Sequence, residues 1–246
     1  MIRMLTFWQL PDWMTEAQFE EYFEHSHSVN ARVMEGFRRY EVNRRVRRVP
    51  AALAGPLVAH HMSENWWDSV AEIERCFNQS GGLADFGDTV SLHGADNVEM
   101  VFLRDEEVSV PAFTGVDLGA ARDGRVTNST KVFGVFEPDD EDRLEAWLDG
   151  GGRRDVTAIQ GLIRSVVGRQ VHEIAQLGWP RRRVNFPQRL PPYSRSLEMW
   201  FADPAAVEEA FDRPQGRALL ASLGAAGLSP RWAVMNSQDV FFSYDL

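Results

Sequence analysis

Cysteine, lysine, a basic surface and long apolar runs are all nearly or wholly missing from this chain. Of its 246 residues one is cysteine, Cys76. That excludes a disulfide framework and a CxxC metal site. Cys76 lies in the periodically apolar stretch AEIERCF, where a thiol reads as a small buried hydrophobe. Lysine is equally scarce, with Lys131 alone among 26 basic residues against 36 acidic ones, for a net charge of -10. A chain this acidic offers no basic face to a nucleic acid or an anionic membrane, so neither partner is expected. No apolar run approaches the ~20 residues of a membrane span. The first ten residues, MIRMLTFWQL, carry one positive charge and no small-residue cleavage site, so they read as a strand and not as a signal peptide. A cytoplasmic protein is expected. HExxH and GxSxG do not occur, and GGLADFG and DGGGRR lack the phosphate-binding pattern. His25, His27, His60, His61 and Glu64 show no metal-ligand spacing, so neither a metal nor a cofactor is expected. Hydrophobic residues make up 44% of the chain, enough for a substantial core.

Periodicity orders that core. Residues 2 to 10 alternate as a strand, and Thr15 with Gln18 forms a capping-box pattern. Phe19, Tyr22, Phe23, Ser26, Val29 and Val33 recur at helical spacing. GFRRYEVNRRV and LVAHHMSENWW read as the next two strands, SVAEIERCF as a helix behind Asp68 and Ser69, and NVEMVFLR as a fourth strand. The order is βαββαβ, a ferredoxin-like unit. It then repeats. Gly36–Val46 and Gly161–Val171 share five of eleven positions, and WWDSVAEIERCF (66–77) matches WFADPAAVEEAF (200–211) as a strand-to-helix junction. The expected architecture is α+β: two ferredoxin-like units in tandem, at 1–105 and 129–246, joined by a linker at 106–128. Their antiparallel sheets would bury one face each against the other, forming an α/β barrel around a cavity. The second unit carries an insertion at 174–193, where Arg181, Arg182, Arg183 and Arg189 alternate with Trp179 and Phe186. A long loop of that kind reads as a solvated segment, a subunit contact or a lid over a substrate.

A few residues could carry chemistry. His27 closes the first helical pattern and could exchange a proton near neutral pH. His25, about 200° away around the helix, cannot share its face. Tyr40 shares a strand face with Arg38, Val42, Arg44 and Val46, and a phenol can donate to an enolate or carbonyl oxygen. His60 and His61 are adjacent on a strand and so should point to opposite faces. His61 goes with the more polar set, Ser63, Asn65 and Trp67, and is therefore assigned to the cavity wall. The matching face of the second unit, Leu197, Met199 and Phe201, is apolar.

MIRMLTFWQLPDWMTEAQFEEYFEHSHS and WFADPAAVEEAFDRPQGRALL resemble the corresponding segments of the EthD-like branch of the dimeric α/β-barrel superfamily. The likeness covers most of both halves. The spacing of His27, Gly36 and Tyr40 is similar to that of methylmuconolactone methylisomerase-type enzymes, whose cysteine falls at Asn65. The resemblance implies cofactor-independent chemistry on a small cyclic or aromatic oxygenated metabolite, of the isomerase, dehydratase or cyclase type. His27 would move the proton, and Tyr40 with His61 would polarise the oxygen. Arg38, Asn65, Trp67, Trp179 and Phe186 would contact the substrate. Nearby members act as cofactor-free monooxygenases, and a non-catalytic small-molecule binder is a third reading. Pairing of two chains into a homodimer stays open. Superposing Gly36 on Gly161 sets His27 against Gly152 and Tyr40 against Ser165, so a single competent pocket, in the first unit, is expected.

Overall fold

The computed structural model of the chain describes residues 1–27, 29, 34, 36, 38–46, 49–53, 59–78, 98–109, 129–171 and 193–242, with backbone alone at 98–100, 106–109 and 237–242. The strands are β1 (Ile2–Trp8), β2 (Arg39–Arg45), β3 (His61–Trp67), β4 (Val98–Ser109), β5 (Ser129–Phe136), β6 (Arg164–Gln170), β7 (Arg195–Phe201) and β8 (Arg231–Phe242). They close into one barrel in the order β1-β3-β2-β8-β5-β7-β6-β4. Every neighbouring pair is antiparallel. Within it, β4-β1-β3-β2 is one ferredoxin-like unit and β8-β5-β7-β6 the other. The units meet edge to edge at β2–β8 and β4–β6. An open four-stranded sheet would leave two rows of unpaired amides, and each unit covers the other's. β4 runs to Ser109, so strand structure enters the first residues of the segment read as a linker. The rest of that segment, and 174–192 of the insertion, lie outside the described residues.

Six α-helices appear among the described residues: α1 (Glu16–Tyr22), α2 (Val70–Asn78), α3 (Glu141–Trp147), α4 (Arg153–Thr157), α5 (Pro204–Asp212) and α6 (Pro214–Ala225). α1 starts where the sequence marks it, since Thr15 Oγ1 accepts from the Gln18 amide while the Gln18 carboxamide oxygen accepts from the Thr15 amide. Ser69 Oγ caps α2 by accepting from the Glu72 amide, and Asp203 caps α5 through the Ala206 amide. Both first helices continue into a π-turn, Phe23–His27 in one unit and Leu148–Gly152 in the other. Gly36 and Gly161, the anchors of the repeat, both have positive φ, 80° and 84°. Each starts a turn that only a residue without Cβ enters cheaply.

The barrel wall has two faces. Ile2, Met4, Trp8, Tyr40, Val42 and Trp67 pack outward under Phe19 and Phe23 of the first helical segment and Ile73, Cys76 and Phe77 of α2. Val132, Phe136, Leu197, Met199 and Phe201 do the same under α3, α5 and α6. Alternation sends the intervening residues inward. Leu5, Phe7, Met62, Val101, Leu103, Phe133, Val135, Ala233 and Met235 form an interior cluster shared by both units.

A pseudo-symmetric set of charges is buried with them. Arg3 Nη1 donates to Glu64 (2.6 Å) and Glu198 (2.7 Å), and Arg3 Nη2 to Asp105 (2.8 Å). Lys131 Nζ is bonded to Glu64 and lies 3.4 Å from Glu198 and 3.6 Å from Glu41. Register makes Arg3 the counterpart of Lys131 and Glu64 the counterpart of Glu198, because Arg3 faces Trp66 across β1–β3 as Lys131 faces Trp200 across β5–β7. The cations also lie over those indoles, Arg3 at 5.8 Å from Trp66 and Lys131 at 4.7 Å from Trp200. This set is buried in the barrel interior between the two units.

Candidate functional site

The polar residues that the sequence places around a cavity do assemble, but between the first unit's sheet and its helices and not inside the barrel. Ser63, Asn65 and Trp67 occupy every second position of β3, and Tyr40 on β2 stands directly opposite Asn65. All are essentially buried, Tyr40 and Trp67 fully and Asn65 and Ser63 at 2% exposure. Trp8 on β1 donates its Nε1–H to Ser63 Oγ at 3.0 Å. The His27 ring lies 4.4 Å from the Trp8 ring and 4.8 Å from Phe23. The π-turn makes that contact, because the register change at Phe23–His27 carries His27 to 2% exposure while His25 stays in solvent.

Two donors in this layer are buried without a hydrogen-bond partner among the described residues: Asn65 Nδ2 and Trp67 Nε1. Buried donors are normally satisfied, and an unpaired one costs about 1–3 kcal/mol. The corresponding layer of the second unit also buries polar groups, Ser165 Oγ without a hydrogen-bond partner among the described residues and Arg195 beside Glu145, but nothing there matches the Asn65 and Trp67 donors. There Met199 and Phe201 stand where Asn65 and Trp67 do, Ser165 where Tyr40 does, and Gly152 where His27 does. The place of a side chain at Gly152 is taken by the Trp147 ring, 2.4 Å from where a Cβ would be.

His61 does not line the barrel interior, contrary to the sequence reading. It belongs to the same outward row as Asn65, buried among Phe19 (4.9 Å) and Phe23 (4.7 Å) with its Nε2 3.3 Å from Glu20. The interior row of β3 is Met62, Glu64 and Trp66. The polar row faces the helices because α1 brings carboxylates to meet it, whereas the interior row is polar only at Glu64, which meets its own cations. Nor do the two histidines take opposite sides. His60 sits at the bend before β3, so its ring stacks on His61 at 5.0 Å. Burial pushes the His61 imidazole below its ordinary pKa, partly opposed by the Glu20 carboxylate. Burial works to raise Glu20, but the hydrogen bond and charge of His61 and the charges of Arg44 and His60 hold it below the usual carboxylate value. Arg38 is half-exposed and paired with Asp68 at 2.6 Å, away from the buried row. Trp179 and Phe186 lie outside the described residues.

Sequence reasoning missed the interior charges and the acids of α1. A signal existed for the first: both units carry Glu-X-Trp on the equivalent strand, Glu64–Trp66 and Glu198–Trp200.

The comparisons with known structures agree with this architecture. An anthrone oxidase-like protein superposes with a TM-score of 0.62 at 15% identity, over 100% of this chain and 94% of its own. A candidate monooxygenase from Fusobacterium nucleatum gives 0.54 at 9% identity over 100% and 95%. Another, from Lactobacillus acidophilus, gives 0.51 at 10% over 99% of both chains. No protein-family model matches the sequence, and no curated protein matches it. At these identities the likeness establishes fold. The fold is a closed eight-stranded α/β barrel in which both ferredoxin-like units lie on one polypeptide.

Proposed function

We propose that this chain is an EthD-like enzyme whose reactive site is the helix-facing layer of its first unit, acting on a small, flat, oxygenated cyclic or aromatic molecule. The observation that supports this is the pair of buried donors, Asn65 Nδ2 and Trp67 Nε1, at positions that Met199 and Phe201 occupy in the other unit. A substrate oxygen seated there accepts from both and removes the cost of leaving them unpaired. The Tyr40 phenol, opposite Asn65, is a third group for that oxygen. His27, against Trp8, takes a proton from the carbon next to the carbonyl or from a phenol. Donors aimed where negative charge develops stabilise the resulting enolate or phenolate. The base contributes roughly 10²–10⁴-fold. The indoles of Trp8 and Trp67 are flat walls suited to a ring.

The anion has two fates. Reprotonation at another carbon, or loss of a leaving group, gives isomerisation, dehydration or cyclisation without any cofactor. Reaction with dioxygen turns a ring CH2 into C=O, one oxygen atom staying on carbon and the other leaving as water with the two hydrogens. The second reading is favoured by the names of the fold neighbours, one anthrone oxidase-like and two candidate monooxygenases. An oxygen electrode separates them, with anthrone and simple naphthols as probes. Oxygen uptake lost in His27→Ala supports oxygenation, and probe conversion without oxygen uptake supports the acid/base reading. Binding of the probes with no conversion of any of them favours a non-catalytic binder and counts against both.

A further inference from the structure

Where β3 begins, the first unit gathers four metal-ligating side chains that the chemistry above does not use. Glu16 and Glu20 lie one turn apart on α1, so their carboxylates leave the same side of the helix. They meet the adjacent imidazoles one for one. Glu16 is 3.6 Å from His60 Nε2, and Glu20 is 3.3 Å from His61 Nε2. The two histidines face each other, Nδ1 to Nδ1, at 2.9 Å. Neighbouring residues within a strand could not do this, and the bend at His60 is what allows it. One nitrogen from each imidazole and one Glu20 oxygen lie within 4.8 Å of one another. Aromatic rings hem the imidazoles in, Phe19 at 5.2 Å from His60 and 4.9 Å from His61, and Phe23 stacked on His61. Arg44 forms an ion pair with Glu20, Nε to carboxylate at 3.0 Å, and donates through Nη2 to Glu24.

We infer that Glu20, His60 and His61 bind a divalent first-row transition-metal ion, with Glu16 supplying a fourth donor. Two imidazoles with one or two carboxylates and no thiolate suit zinc, copper(II), nickel, iron(II) or manganese better than calcium or magnesium, which want oxygen alone. Bonds of about 2.0–2.2 Å are reached from the observed spacing by side-chain rotation toward a common centre. The ion ties α1 to the start of β3. Because α1 continues through the π-turn to His27, and Phe23 touches both His61 and His27, an ion here also fixes the segment that presents His27.

The test is titration of the full chain, stripped with a chelator, with Co²⁺ and then Zn²⁺. One equivalent of Co²⁺ with visible d–d absorption, displaced by Zn²⁺, and a melting temperature raised by Zn²⁺, is the expected result. Glu20→Gln and His60→Gln alter partly exposed side chains, so an unchanged far-UV spectrum is the control for folding. Each should weaken Co²⁺ binding by about tenfold or more. His25→Gln, at an exposed histidine outside the cluster, should bind as the unaltered chain does. No Co²⁺ bound at about 1 mM, or an affinity that neither Glu20→Gln nor His60→Gln reduces, overturns the inference.

Discussion

Lys131→Met should unfold this barrel more readily than any surface change could. Lys131, the chain's one lysine, is fully buried with its ammonium among Glu64, Glu198 and Glu41. Methionine keeps most of the volume and removes the charge, leaving those carboxylates with Arg3 and with Arg39, which reaches Glu41 alone among them at 2.6 Å. Removing one member of a buried ion pair costs about 3–5 kcal/mol, a fifth or more of the ~5–15 kcal/mol that holds a typical domain folded. The acid side gives an independent figure. Burial opposes ionisation of Glu64, yet Lys131 and Arg3 outweigh it and hold the carboxyl at about 2. Relative to an ordinary carboxylate that is worth roughly 3 kcal/mol at neutral pH. Because the folded value is depressed, this stability is present above the unfolded value and is lost as pH falls from the ordinary range through about 2. Asp105 runs the other way. Burial first, then Glu198 and Glu64, raise its pKa, so its protonation offsets part of the acid loss. Urea unfolding at neutral pH should show the midpoint of Lys131→Met lowered by about 1 M or more, for slopes of ~1–3 kcal/mol/M. Its acid transition should move to higher pH. Adding Glu64→Gln removes a carboxylate that the ammonium had balanced and should recover part of the loss. A midpoint within about 0.3 M of the parent, or a double variant less stable than the two single losses summed, would refute the argument that these charges are mutually dependent.

Gly161→Ala should cost about 1–2 kcal/mol, since φ is 84° and no atom lies within 4 Å of the added Cβ, so the penalty is backbone strain alone. A thermal melt unchanged from the parent would show that the turn adopts another path. Residues 1–109 expressed alone should self-associate or remain poorly folded, because β2 and β4 lose their partners β8 and β6. Sedimentation that finds a monomer with a cooperative melt would contradict that. His27→Ala and Tyr40→Phe should each lower turnover by roughly 10²-fold or more with little change in melting temperature, and two silent variants in a kinetic assay would remove the proton-transfer scheme.

The tandem architecture was legible because it rests on repetition. Gly36 and Gly161 need the same positive φ, the strands that follow start three residues later in both units, and the capping residues Thr15, Ser69 and Asp203 are local signals. The face of β3 was not legible. A half-polar strand with two histidines at its start has two plausible inward rows, and the choice depends on which carboxylates a distant helix supplies. Glu20 is 41 positions from His61, and nothing in local spacing joins them. The same holds for Arg3, Glu198 and Lys131, which meet only when the barrel closes. The second unit's apolar row, Leu197, Met199 and Phe201, was visible in the sequence as an asymmetry. It becomes interpretable once both rows face helices, where one unit buries Asn65 and Trp67 and the other buries Met199 and Phe201.

The donor-bearing layer of the first unit is proposed as the substrate site. Calorimetric titration of the tightest-binding probe among anthrone and the naphthols tests it most directly, with the parent chain compared against Asn65→Leu and Met199→Leu. A single probe site per chain is expected, weakened about tenfold or more by Asn65→Leu through loss of a buried hydrogen bond and unaffected by Met199→Leu. Two equal sites, or an affinity that Asn65→Leu leaves intact, would contradict it.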